Sequence, residues 1–220
     1  MLMSRITYAS ISKPQPDRLE DAIELSRQAA KMTGRHGAEA RLLGAQLAGE
    51  QTGTLVFAIE FESPERYAQL VAELDGDKEL QDLQVSLTRS TSPVVMLATS
   101  VSTEIPLPGK HKTGRGSVVE VHITKPVPGR FEAAIQEADT VATLVEKAGA
   151  VNVQAFQMVY AGIQSGSIGL AIEWPSVGAQ AKAAAIWSTD PAGIELSTAV
   201  LNGTSATTLL SSALYRDIPL

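Results

Sequence analysis

One stretch of this chain occurs twice. Lys13-Pro14-Gln15-Pro16-Asp17-Arg18-Leu19-Glu20-Asp21-Ala22-Ile23 returns as Lys125-Pro126-Val127-Pro128-Gly129-Arg130-Phe131-Glu132-Ala133-Ala134-Ile135, every position moved by the same shift. Lys, both prolines, Arg, Glu, Ala and Ile keep their order. Three further pairs follow at a shift one position longer. Ala48-Gly49 to Thr54 matches Ala161-Gly162 to Ser167, Ala58-Ile59-Glu60-Phe61 matches Ala171-Ile172-Glu173-Trp174, and Glu104-Ile105-Pro106 matches Asp217-Ile218-Pro219. One residue inserted between the first helix and the second strand accounts for the change of shift. Chance supplies one such match; four in register read as a duplicated unit. The chain then divides into repeat 1 over 1–106, a linker over 107–116 and repeat 2 over 117–220, each repeat close to the common domain size.

Within a repeat the element order follows from local chemistry. Arg5 to Ser12 alternates and is rich in Ile, Thr and Tyr, which predicts a strand. The two prolines that follow can neither donate to a ladder nor sit inside a helix. Asp17 is placed to cap a helix running to about Thr33, ended by Gly34 and Gly37. Ala40 to Ala48 and Thr54 to Phe61 read as strands around a turn at Gly49–Gly53. Ser63-Pro64-Glu65 opens a second helix with a capping hydroxyl, a proline in the first turn and an acid at the positive dipole end. Asp77 caps a short helix, and Pro93 to Glu104 closes the unit as a fourth strand. The second half repeats the order, with Asp190 matching Asp77. The result is β-α-β-β-α-β, the ferredoxin-like order.

In such a unit both helices cover one sheet face. The central strands Leu55–Ile59 and Ile168–Ile172 are too apolar to leave the other face wet. The expected fold is α+β: two tandem ferredoxin-like repeats packed sheet to sheet as an α+β barrel within one chain.

The ordering, the doubling and the strand ending Ala-Ile-Glu-Phe/Trp-x-Ser, at Glu60-Phe61 and Glu173-Trp174, resemble the dimeric α/β-barrel superfamily. Within it the pattern is similar to antibiotic-biosynthesis-monooxygenase-like and NIPSNAP-like domains. The resemblance implies a small-molecule barrel in a group that includes cofactor-independent oxygenases, haem-degrading enzymes and proteins with no assigned activity. The haem-degrading branch carries a His on the helix after the third strand. The helices after Phe61 and Trp174 have none, so no cofactor is assigned.

Composition narrows the partners. The net charge of −6 argues against a general nucleic-acid binder. There is no cysteine, hence no disulfide or thiolate metal site, which fits a cytoplasmic setting. The N-terminus lacks a signal core, and no apolar run is long enough for a membrane span. A small-molecule ligand and a homodimer are the remaining partners. In the linker, Lys110, Lys112 and Arg115 admit an anion site, but exposed chain is the simpler expectation. His36 and His111 are likewise expected in solvent.

Chemistry is expected on the first strand of repeat 2. Glu120, His122 and Thr124 alternate with Val119, Val121 and Ile123. If the apolar set faces the helices, Glu120 and His122 point to the other side, into the barrel. Tyr8 and Ser10 are their counterparts in repeat 1, and Glu60 and Glu173 are placed to reach the same cavity. A carboxylate raises the pKa of a neighbouring imidazole and burial lowers it, so such a pair can work near neutrality. His122 is then the candidate base, Glu120 and Glu173 its partners, and Tyr8, Ser10, Glu60 and Trp174 candidate substrate contacts. A Glu-His-Glu metal site would need three converging ligands, and spacing supports only two, so none is assigned. Each assignment has a plainer alternative. The Glu120–His122 pair can satisfy itself by hydrogen bonding, Glu60 and Glu173 can bond backbone at a strand end, and Phe61 and Trp174 can be core. Trp187, Tyr67 and Tyr160 are expected in packing or interfaces. Two functions stay open: a cofactor-independent monooxygenase-like or proton-transfer enzyme, and a non-catalytic binding or assembly protein.

Overall fold

The computed structural model describes residues 5–109 and 111–220. It is an α+β structure that divides into two compact units. The first takes in the chain up to Glu104 with Val159–Ile163 and Asp217–Leu220; the second takes in Ile105–Met158 and Gln164–Arg216. Lys110, one of the three linker cations considered above, lies outside the described residues, as do residues 1–4.

The first unit runs β1 (Ile6–Pro14), α1 (Leu19–Arg35), β2 (Glu39–Leu47), β3 (Leu55–Phe61), α2 (Pro64–Asp75), α3 (Lys78–Leu87) and β4 (Val94–Ile105). β1 is central, antiparallel to both β3 and β4, and β2 lies antiparallel against β3. The second runs β5 (Val118–Pro126), α4 (Phe131–Lys147), β6 (Asn152–Tyr160), β7 (Ile168–Trp174), α5 (Val177–Ala183), α6 (Ile186–Thr189), α7 (Pro191–Leu201) and β8 (Thr207–Ile218). β5 is antiparallel to β7 and β8, and β6 lies against β7. β5 and α4 have the bounds of β1 and α1 moved by the shift of the Lys-Pro motif. β6, β7 and β8 have those of β2, β3 and β4 moved by the longer shift of the later pairs.

Side-chain chemistry explains the helix starts. Ser63 Oγ accepts from Arg66 N at 3.2 Å and Ser176 Oγ from Ala179 N at 3.2 Å. Asp77 accepts from Glu79 N and Leu80 N, and Asp190 from Ala192 N, so each short helix has its carboxylate cap. Asp17 does not cap α1. It sits at φ 59°, and the N-cap position is Arg18, which makes no side-chain cap bond. The corresponding Gly129 has φ 77°, so the turn needs a left-handed residue there and Asp17 meets that need without glycine's freedom.

The second unit's core joins Val118, Ile168, Leu170, Ile172 and Trp174 on the strands to Ala134, Ala142 and Val145 on α4. In the first unit, Ile59 and Phe61 pack with Leu70 of α2. Gly116, just before β5, permits a close approach: a Cβ there would lie 2.5 Å from the Trp174 carbonyl oxygen. Among the described residues, no helix is long and apolar enough to cross a membrane.

The segment leading to β5 is not free chain. Asp139 and Glu146, two turns apart on α4, hold it. Gly109 N donates to Asp139 Oδ1 at 2.7 Å, and Lys112 N donates to Glu146. His111 bridges the two acids, with Nε2 2.9 Å from Asp139 and Nδ1 3.2 Å from Glu146, its side chain only 8% exposed. The expectation of a solvated His111 is corrected. His36 is corrected too, lying between Glu73 at 3.1 Å and Asp77 at 3.3 Å. Sequence spacing hid both, because the acids lie on helices, or at a helix cap, remote in the chain.

Burial alone would lower the His111 pKa, but hydrogen bonds and charge from Asp139 and Glu146 outweigh it and the net shift is upward. The folded state therefore holds this proton more tightly than the unfolded chain. The stabilisation is complete below the ordinary histidine pKa and fades as pH rises through the raised one. His111→Gln is expected to lower unfolding free energy by about 1 kcal/mol at pH 5 and by less at pH 9, measured by urea titration. An equal loss at both pH values would remove the charged latch.

Candidate functional site

β5 carries the site. Its register sets Glu120 beside Ile172 and Leu214, and His122 beside Leu170 and Ser212. Ile172 and Leu170 belong to the core shared with α4. Glu120 and His122 are therefore on the helix side of the sheet, and Val119, Val121 and Ile123 are on the other. This reverses the face expected from sequence. Alternation separates two faces without saying which one meets the helices. Burial could not separate them either, because Val119 and Ile123 are buried, as Val118 is.

His122 is held from both ends. Nε2 lies 3.1 Å from Glu120 Oε1, and Nδ1 lies 2.8 Å from Ser212 Oγ. A carboxylate can only accept, so Nε2 carries a proton and donates it to Glu120. In the neutral imidazole Nδ1 is then the acceptor, taking a hydrogen bond from the Ser212 hydroxyl. The other oxygen of Glu120 accepts from Trp174 Nε1 at 3.0 Å and Gln180 Nε2 at 3.3 Å. Burial alone would raise the Glu120 pKa; the hydrogen bond and charge of His122, with help from Gln180 and Trp174, bring it below the ordinary glutamate range. The acid is thus held as a carboxylate that fixes the imidazole's tautomer and orientation.

His122 lines a cavity of about 480 Å³ between the sheet and helices α4 and α7. Its walls are Ala134, Val141, Leu170, Trp187, Leu196 and Val200, so it is largely apolar. Polar groups reach it at His122 and Thr124 on β5, at Ser197, and at Glu137, Ser205 and Thr207. Glu137 was not singled out from the sequence. It accepts from Ser205 Oγ at 2.9 Å and Ala206 N at 2.5 Å. The signal was present: Ala134, Glu137, Ala138 and Val141 share one helical stripe, and only Glu137 is charged. Trp187, expected only to pack, is a wall of the cavity.

The other expected site residues fall elsewhere. Glu173 is 5% exposed and on the opposite sheet face from Glu120. Its carboxylate accepts from Gly116 N at 2.8 Å and from Asn152 Nδ2 at 2.9 Å. It ties together the entry to β5 and the start of β6, and does not touch His122. Trp174 is 1% exposed and meets the site through its Nε1. Glu60 lies on the first unit's opposite face, 3.9 Å from Arg5, and lines a separate pocket with Gly37 and Arg66. Tyr8 and Ser10 line a different cavity, inside the first unit. Among the described residues, no three His, Cys, Asp or Glu side chains are grouped to hold a metal ion.

No protein-family profile matches the chain, and no curated protein matches it. Solved structures do. An anthrone oxidase-like protein superposes with a TM-score of 0.63 at 13% identity, over 98% of this chain and 92% of that one. A provisionally named monooxygenase from Fusobacterium nucleatum gives 0.61 at 11% identity, over 100% and 94%. A chlorite dismutase variant from Candidatus Nitrospira defluvii gives 0.56 at 7% identity, over 98% and 92%. At such identities the likeness is one of fold. A haem does not fit the donors present: both ring nitrogens of His36, His111 and His122 are engaged by neighbouring side chains.

Proposed function

We propose that this chain binds a largely apolar organic molecule in the second unit's cavity and removes an acidic proton from it with His122. We read each unit as one copy of a duplicated ferredoxin-like module, the second copy having acquired the chemistry. The observation that carries the proposal is the Ser212–His122–Glu120 chain at the wall of an apolar cavity of about 480 Å³. That volume lies in the range of small-molecule sites.

The step is a proton transfer. A phenolic O–H or an activated C–H gives its proton to Nδ1, directly or through the Ser212 hydroxyl. The substrate becomes an anion, and the imidazolium is stabilised by Glu120. Apolar walls keep water from competing for the proton. The monooxygenase-like form of the proposal adds dioxygen. A doubly benzylic methylene, once deprotonated, reacts with O₂ to give a ketone and water, with CH₂ plus O₂ balancing C=O plus H₂O. The anthrone oxidase-like neighbour makes anthrone, a tricyclic ketone with such a methylene, the first substrate to try.

The test is oxygen uptake and quinone formation from anthrone, against the spontaneous rate. His122→Gln is expected to reduce turnover about 10²- to 10⁴-fold while anthrone still quenches Trp187, which lines the cavity. Wild-type protein that never exceeds the spontaneous rate, or His122→Gln at full rate, would end the proposal.

A further inference from the structure

The first unit contains a second cavity, of about 370 Å³, lined by Tyr8, Ser10, Ser12 and Phe57 on the sheet and by α1, α2 and α3 on the other side. Most of its lining positions are those of the His122 cavity, carried back by the shift between the repeats. Ala22 stands where Ala134 does, Ala29 where Val141 does, Phe57 where Leu170 does, and Leu74 where Trp187 does. The walls are alike in kind, but the ionisable groups are not. His122 is replaced by Ser10, Glu120 by Tyr8 and Glu137 by Leu25. Even the contact that supports Glu120 has a neutral version: Gln180 corresponds to Tyr67, which lies near enough to Tyr8 to perturb its hydroxyl.

We propose that this cavity is a second, non-catalytic binding site for a neutral apolar molecule bearing a carbonyl acceptor. The chemistry follows from the lining. Among the described residues, no imidazole lines the cavity, and the one carboxylate that does, Asp75, ends α2. The walls otherwise offer neutral hydroxyls on an apolar surface. Among the described residues, no protein group hydrogen-bonds the Tyr8 or Tyr67 hydroxyl, so each is available to a ligand. Burial first, and Tyr67 second, raise the Tyr8 pKa, so its hydroxyl stays protonated and serves as a donor. A carbonyl oxygen is the group such a donor recognises, and a site with no imidazole to take a proton binds it unchanged. This inference does not depend on His122 being catalytic.

The probe is 9-fluorenone, a flat neutral ketone without an acidic C–H, titrated calorimetrically into the full chain. Both tryptophans, Trp174 and Trp187, belong to the second unit, so Trp emission reports that unit's cavity. A binding event that leaves Trp emission unchanged is expected. Ala29→Phe, which fills the first unit's cavity, should abolish that event. Tyr8→Phe, which removes only the donor, should weaken it about three- to tenfold and remove a downshifted carbonyl band from the infrared spectrum of bound fluorenone. The inference is overturned if every binding event quenches Trp and is lost in Val141→Phe, or if Tyr8→Phe binds as the wild type does. Tyr8→Phe changes one oxygen, so the test survives if Ala29→Phe fails to fold.

Discussion

Glu120→Gln is expected to lower proton-transfer turnover about 10²- to 10⁴-fold with little change in melting temperature. The side chain keeps its shape and can still accept from Trp174 Nε1 through its carbonyl. What it loses is the ability to dictate the tautomer. With the amide oxygen toward Trp174 and Gln180, the amide NH₂ faces His122 Nε2 and demands an acceptor there. The ring proton then moves to Nδ1, and the nitrogen facing Ser212 is no longer a base. The imidazolium also loses its counter-charge. The pH profile separates this from a structural effect. In the wild type, the carboxylate's contribution is complete above the ordinary glutamate pKa and is lost as pH falls through the depressed one. The variant should lack that acid-side loss. A variant retaining more than about a tenth of wild-type turnover would show that Glu120 does not govern the base.

Glu173→Leu should instead cost stability. Its carboxylate is buried and satisfies Gly116 N and Asn152 Nδ2. Leucine leaves a buried backbone N–H and a buried amide without that acceptor, at about 1–3 kcal/mol for each group. A total of about 3 kcal/mol corresponds to a fall in melting temperature of roughly 10 °C for a chain of this size. Turnover per folded molecule should hold, because Glu173 lies on the sheet face away from His122. A change of less than about 2 °C would refute the tie between the entry to β5 and the start of β6. A large loss of turnover at full stability would return Glu173 to the catalytic group.

The contrast between these two glutamates shows what can be read from spacing. Glu120 and His122, two apart on one strand, share a face because side chains alternate, and this is visible in the letters. Glu60 and Glu173 repeat one motif, and a shared motif invites a shared function. Their alternation with Ile59 and Ile172 places them away from the helices, as expected. The direction of the β5 polar set is not legible in the same way, because hydrophobic residues occupy both faces of that strand.

The sequence by itself determined the order of the strands and the placing of helices between them, the caps at Ser63, Asp77 and Asp190, and the placing of Glu120 and His122 on one face. Each of these rests on interactions between residues near in the chain, or on a pattern that repeats. Only the tertiary structure decided which sheet face meets the helices, that Ser212 reaches Nδ1, that Trp174 and Gln180 hold Glu120, and that His111 is latched to α4. Those contacts join residues 28 to 90 positions apart. Their partners are chosen by strand register and helix placement, and no local pattern encodes either.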